Sequence, residues 1–260
     1  MLKAPLDLSK ARILLSNDDG IHAPGLEVLE KIARTLSDDV WVVAPETEQS
    51  GASHSLTLHR PLRMRQMGEN RFAVDGTPTD CVLLAINHIL KDRKPDLVLS
   101  GVNHGSNLGE DVTYSGTIAA AMEATLLGVP AIAMSQHLDP AQPALWQTAL
   151  HWGPEVVRKA VSVGWPRNVL MNVNFPSVEP DQAQGIHIVR HGQRKVGDDL
   201  TERVDPRGRA YFWIGTLRGE ADTLPDTDIG VVMEKGIAVT PLFLDLTHTP
   251  TLETLRTVFA

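Results

Sequence analysis

Asp18 and Asp19 stand side by side in "LLSNDDGIHAPG", residues 14–25, directly after an apolar run. Adjacent carboxylates repel, and neither continues a buried strand, so their placement needs a chemical reason. A hard divalent cation is one, because it prefers oxygen ligands and offsets the repulsion. A helix-entry turn is another, since Asp and Asn favour caps and turns and Gly20 allows a tight one. Three further segments carry groups that a cation centre would use. "APETEQSGASHSLT", residues 44–57, is dense in small hydroxyls: Ser50, Ser53, Ser55 and Thr57. These suit a metal or a phosphate, or a plain polar loop, and His54 reads either as a general base or as a solvated histidine. "SGVNHGSNLGEDVTYSG", residues 100–116, has glycines at 101, 105, 109 and 116 that let backbone approach a ligand closely. Asn103 and Asn107 add neutral oxygens and amide donors there, while Asp111 is expected to be solvated, to close a local turn, or to support a ligand from behind. "YSGTIAAAM" opens a helix that Ser115 or Thr117 would cap, and its free amides form an anion site. Cation-binding carboxylates opposite an amide-and-hydroxyl cradle suit metal-assisted hydrolysis of a phosphate ester.

These loops need a scaffold that brings them to one place. Residues 12–16 and 40–44 are short, apolar and rich in branched side chains, as buried strands are. Between them Leu26, Leu29, Ile32, Ala33 and Leu36 recur at helical spacing. A third strand falls at 96–100, after a helix from about Thr79 to Leu90 that "GTPTDCV" starts. Thr77 and Asp80 belong to that start, and Cys81 is expected to face the core as an inert thiol. The Ala-rich helix "TIAAAMEATLLG" and a strand in "PAIAMS" come next, and a strand at 168–173 is expected to complete the sheet. This alternation predicts an α/β fold, a doubly wound and mostly parallel Rossmann-like sheet, with ligands beyond the carboxyl ends of its strands. Residues 1–175 would form that core. Residues 176–260 read instead as hairpins and extended arms ("GIHIVRH", "AYFWIG", "GIAVTPLFLDL") followed by a terminal helix. On that helix Leu252, Leu255 and Phe259 share one side.

Composition narrows the classes of function. The 260 residues carry 24 basic and 32 acidic side chains, a formal charge of -8, which disfavours a nucleic-acid polymer as partner. One cysteine rules out an internal disulfide framework and a thiolate zinc cluster. No stretch approaches the ~18 apolar residues of a membrane span, and residues 1–10 show no secretory pattern, so a cytoplasmic protein is expected. The glycines match neither the G-x-G-x-x-G fingerprint nor the P-loop, which weakens a nicotinamide-dependent oxidoreductase reading. A metal- or nucleotide-binding module without turnover is a further alternative.

Five segments taken in order, "ILLSNDDGIHAPG", "VVAPETEQSGASHSLT", "GTPTDCV", "SGVNHGSNLGEDVTYSGT" and "DPRGRAYFWIG", resemble the SurE family of stationary-phase survival proteins. The resemblance runs from about residue 11 to "VTPLFLDL" and implies a 5'/3'-nucleotidase. It implies one divalent metal, Mg²⁺ or Mn²⁺, held by Asp18, Asp19, Ser50 and Asn103, with the two aspartates as catalytic groups. It implies phosphate binding at Asn107, Ser115, Gly116 and Thr117. Nucleoside monophosphates and, in some members, short polyphosphate are the implied substrates. A cytoplasmic homodimer or homotetramer that exchanges C-terminal elements is the implied assembly. Two departures stand out: residues 1–10 precede the family pattern, and Gly230 occupies a position where the family more commonly has alanine.

Overall fold

The computed structural model describes residues 5–193, 200–214 and 224–259. In chain order the elements are β1 (Arg12–Ser16), α1 (Pro24–Arg34), β2 (Asp39–Pro45), β3 (Met64–Gly68), β4 (Arg71–Val74) and α2 (Pro78–Leu84). They continue with β5 (Leu97–His104), α3 (Gly116–Leu126), β6 (Ala131–Gln136), α4 (Trp146–Ser162) and β7 (Val169–Phe175). The remainder are β8 (Ile186–Ile188), β9 (Leu200–Val204), β10 (Ala210–Ile214), α5 (Asp228–Met233), β11 (Ile237–Phe243) and α6 (Thr249–Val258).

Nine strands form one sheet in the order β3-β4-β2-β1-β5-β6-β7-β11-β8. The six central strands from β4 to β7 are parallel. Alternation along β1 explains the layering. Ile13 and Leu15 are fully buried in a cluster with α1 and α4, and Leu14 in a second cluster with α2 and α3. Burying such a side chain on either face stabilises the fold by about 1.5–3 kcal/mol. The doubly wound sheet expected from sequence is therefore present, with the loops after β1, β2 and β5 that carry the candidate residues at its carboxyl edge.

Three features depart from the sequence pattern. The β3–β4 hairpin sits at an edge where most side chains of β3 are exposed, so no apolar alternation announces it. Helix α4 is interrupted in sequence by Gly153 and Pro154, which masks its periodicity. The strand at 168–173 does not complete the sheet: β11 pairs antiparallel with β7, and β8 pairs with β11. The first four residues of β11 are buried and supply the apolar surface that β7 would otherwise expose. Beyond the sheet, β9 and β10 form a separate antiparallel hairpin, and α6 has no buried residue.

The crossovers explain where α4 goes. The β5-α3-β6 and β6-α4-β7 units step across the sheet in the same direction, yet α3 and α4 lie on opposite faces. They therefore have opposite hands. The α1 and α3 units, stepping in opposite directions on opposite faces, share one hand, the right-handed form that about 98% of such units take. The α4 unit is left-handed. Its consequence is local: α4 packs on α1, where Gly153 comes so close to Ile32 that an added Cβ would lie 2.7 Å from Cδ1. Trp146, at the start of α4, is thereby placed beside Gly25 at the start of α1.

Gly25 is also pressed against β5, and a Cβ there would run into the Val102 carbonyl oxygen. Alanine ordinarily stabilises a helix by about 1 kcal/mol over glycine. Gly25→Ala is expected to do the reverse and lower the melting temperature, because a backbone oxygen cannot rotate away. Thermal denaturation followed by circular dichroism checks this.

Candidate active site at the carboxyl edge of the sheet

The segment after β1 is a turn that closes without its aspartates. Asn17 Nδ2 donates to the Gly20 carbonyl at 2.9 Å, and Gly20 takes the left-handed backbone such a turn requires (φ 102°). Helix α1 is preceded by Ala23, and no side chain caps it. Neither Asp18 nor Asp19 is used as a cap, so the turn explanation leaves both carboxylates unaccounted for. The backbone of this turn is tied to the loop after β2. Ile21 N–H donates to the Pro45 carbonyl and Gln49 N–H to that of Asp18, both at 2.8 Å.

Asp18 is buried, 4% exposed. The Thr117 hydroxyl donates to its Oδ1 and also lies 3.1 Å from Asn103 Oδ1. Gly116 makes this approach possible, since a Cβ there would sit 2.6 Å from the Cβ of Asp18. Burial pushes the Asp18 carboxyl up to about 6, with the Thr117 hydrogen bond opposing the rise and the Asp19 charge adding to it. Asp19 is raised too, by burial first, against a lowering hydrogen bond from the His104 backbone N–H at 3.1 Å.

A cavity of about 220 Å³ lies over this pair, and Asp18, Asp19, Ser50, Asn103, Asn107 and Ser115 all line it. Gly116 and Thr117 abut Asp18 rather than the cavity wall. The eight residues singled out in the sequence thus lie together, though several are engaged with protein groups. Ser50 Oγ donates to Glu48 at 2.6 Å, and Asn103 Nδ2 donates to the Gly105 carbonyl at 2.8 Å. Ser115 accepts from Ile118 N–H at 3.1 Å, so it is the cap of α3. Asn107 is buried and fixed on all sides. Its N–H donates to Asn174 Oδ1, its side-chain amide to Ser135 Oγ, and its carbonyl accepts from Asn172 and Asn174.

Other expectations divide. Thr77 and Asp80 form the reciprocal cap of α2, and Asp80 also accepts from Thr57 N–H at 3.0 Å, which anchors the serine-rich loop. Cys81 is buried there, and desolvation raises its thiol. Asp111 is buried, accepts from Leu108 N–H as a turn partner, and also lines the carboxylate cavity. His54 is not a free loop histidine: its Nε2 lies 2.9 Å from Glu123 Oε2 on α3, outside the cavity lining. Gly101 serves the sheet rather than a ligand, because a Cβ there would strike the Met134 carbonyl on β6. Gly230 lies in α5, where its N–H donates to the Thr227 cap, and it does not line the cavity.

Sequence reasoning missed three supports. His104 supplies the N–H that holds Asp19. Asp228 accepts from Gly109 N–H at 3.1 Å and so ties the loop after β5 to the C-terminal region. Asn172 and Asn174 on β7 orient Asn107, and two asparagines inside the apolar strand "NVLMNVNF" were the available signal.

Among the described residues no group of three or more His, Cys, Asp or Glu side chains could hold a metal. What the cavity offers is three carboxylates, Asp18, Asp19 and Asp111, with hydroxyl and amide oxygens, a set that suits a hard cation and not zinc. Among the described residues lining it there is no Lys or Arg.

An α/β fold with an oxygen-rich acidic pocket at the carboxyl edge of its parallel strands defines an enzyme-like class. Comparison with known proteins narrows it. The model for "Survival protein SurE" matches residues 13–198. The chain is 62% identical over 253 residues to the 5'-nucleotidase SurE of Paramagnetospirillum magneticum, covering 97% of each chain. It is 57% identical over 256 residues to that of Rhodospirillum rubrum, covering 97% of this chain and 98% of the other. The crystal structure of the SurE protein from Aquifex aeolicus superposes with a TM-score of 0.83 at 38% identity, over 96% of this chain and all of that one. This chain belongs to the SurE family.

Two outcomes follow from the site. Gly116→Ala is expected to displace the start of α3 from Asp18 and to weaken divalent-cation binding, measured by calorimetry. The second concerns pH in the cation-free protein. Because Asp18 has a raised folded-state value, the native state holds the proton more tightly than the unfolded chain. That stabilisation is complete below about pH 4 and is lost as pH rises through about 6, on the order of 3 kcal/mol. Asp18→Asn should flatten this part of the melting-temperature profile in EDTA.

Proposed function

We propose that this chain is a divalent-metal-dependent nucleotidase that hydrolyses nucleoside 5'- and 3'-monophosphates, with short polyphosphate as a further substrate. The observation that carries the reading is the unbalanced charge of the pocket. A phosphate monoester entering it meets buried and half-buried carboxylates, with His104 the one imidazole and no Lys or Arg among the described lining residues. A bound cation would offset that negative charge and let the site attract an anion. Asp18, Asp19, Ser50 and Asn103 would hold one Mg²⁺ or Mn²⁺, and their donor chemistry fits it. When bound, the cation supplies Lewis-acid polarisation of the phosphoryl group.

The protein's own groups do the rest. Ser115, Gly116 and Thr117 set the first turn of α3 against Asp18, so its partial positive charge is available to the phosphate. Asn107, immobilised by its asparagine and serine partners, is the amide donor for a phosphate oxygen. Asp18 and Asp19 have raised proton affinity, which suits either of them to orient or deprotonate an attacking water. Direct attack by an aspartate, giving a phosphorylated carboxylate, is the competing route, and trapping of phosphoenzyme distinguishes it. Gly105, with its left-handed backbone, leaves the rim of the pocket open (φ 122°).

We also propose a cytoplasmic homodimer or homotetramer built by exchange of C-terminal elements from residues 176–260. The support is exposed apolar surface: Phe212, Trp213 and Ile214 on β10 are 61%, 65% and 73% exposed, and Phe259 is 85% exposed. No helix among the described residues is long and apolar enough to cross a membrane. Light scattering should return a multiple of the 28.4 kDa chain mass, and a monomer would count against the exchange.

Phosphate release from AMP should require added Mn²⁺ or Mg²⁺ and stop on addition of EDTA. Asp19→Asn should lower it about 100-fold or more, as removal of a key electrostatic group does. Undiminished turnover by that variant at saturating metal would sink the assignment.

A further inference from the structure

A second and larger groove, about 670 Å³, adjoins the carboxylate cavity and shares Asp19 and His104 with it. It runs between the first turns of α1 and α4, and Pro24, Pro143, Ala144 and Trp146 supply much of its wall. The His104 imidazole and the Trp146 indole stand 5.9 Å apart between centroids, tilted by 41°. Gly25 makes room for the indole, since a Cβ there would lie 3.1 Å from its outer ring. The left-handed crossover is what brings this tryptophan to the α1 face at all. The carboxylate cavity is small and polar, of a size for a phosphoryl group. The groove beside it has the volume of a small-molecule site, with Pro24, Pro143, Ala144 and Trp146 forming an apolar and aromatic side and Asp19, Glu48 and His104 a polar one.

We infer that this groove receives the base of the nucleotide, which stacks against Trp146 with His104 alongside. The inference rests on the nucleotidase reading and gives it a specificity device. An aromatic face attracts any base through its π surface without reading its edge. The two side-chain carboxylates of the groove, Asp19 and Glu48, lie toward the phosphate end, where Glu48 already accepts from Ser50. Recognition is therefore by stacking, tolerant of base identity and stronger for the larger purines.

The test compares AMP with ribose 5-phosphate, which presents the same phosphate ester without a base. Both are assayed with wild type, Trp146→Leu, Trp146→Phe and His104→Ala. The preference for AMP over ribose 5-phosphate, as a ratio of kcat/KM, should fall roughly tenfold in Trp146→Leu, mostly through KM. Trp146→Phe should keep most of the preference, and His104→Ala, a change at an exposed side chain, should lower it. Adenosine affinity, measured by calorimetry in EDTA, should fall in parallel and needs no turnover. Equal losses on both substrates, or an unchanged preference with unchanged adenosine affinity, would overturn the inference. If wild type releases phosphate from neither ester yet binds adenosine through Trp146, the nucleotidase reading fails and the groove assignment stands.

Discussion

The structure turns on one unfavourable arrangement: the charge of Asp18, held out of water next to that of Asp19. Burial raises the proton affinity of both carboxylates, the Asp19 charge adds to the rise at Asp18, and Glu48 adds to it at Asp19. The turn after β1 does not need them, and α1 does not use them as a cap. What the surroundings do is hold Asp18 in place. Gly116 lets the start of α3 reach it, the Thr117 hydroxyl donates to it, and the Gln49 N–H grips its backbone carbonyl. A site assembled so firmly around an uncompensated negative charge is what supports the cation proposed for it.

Such precision at one point requires rigidity over a wide area. Three loops meet at the carboxyl edge of the sheet, and each is fixed by residues from elsewhere. Asp80 anchors the loop after β2 through Thr57, and the His54–Glu123 pair latches it to α3. Asp228 and the asparagines of β7 hold the loop after β5. The antiparallel strand β11 covers β7 and so keeps those asparagines buried, where their hydrogen bonds do not compete with water. The C-terminal part of the chain thereby acts on a pocket to which it contributes no lining side chain among the described residues.

Much of this was visible in the sequence because it follows from local rules. The apolar runs of β1, β2 and β5 to β7 and the 3.6-residue spacing of α1 predict the layered sheet, and strand-end position predicts which loops converge. The donor types in "NDDG", "SGAS" and "SGVN" predict oxygen chemistry. Elements outside those rules escaped notice. The β3 strand is an exposed edge, α4 contains Gly153 and Pro154, and Asp111 and His54 found partners that only the folded chain supplies.

The sequence by itself determined the fold class, the family and the set of polar groups at the sheet edge, because periodicity, turn chemistry and ordered motifs are properties of neighbouring residues. Tertiary structure decided the electrostatic state of those groups and what lies beside them. Asp18 is raised by a burial to which the start of α3 contributes, with Gly116 against its side chain, while the hydrogen bond from Thr117, 99 residues on, opposes the rise. Trp146 faces the groove next to Asp19 only because one crossover is left-handed. Neither fact is local, since both depend on which distant surfaces meet when the sheet closes.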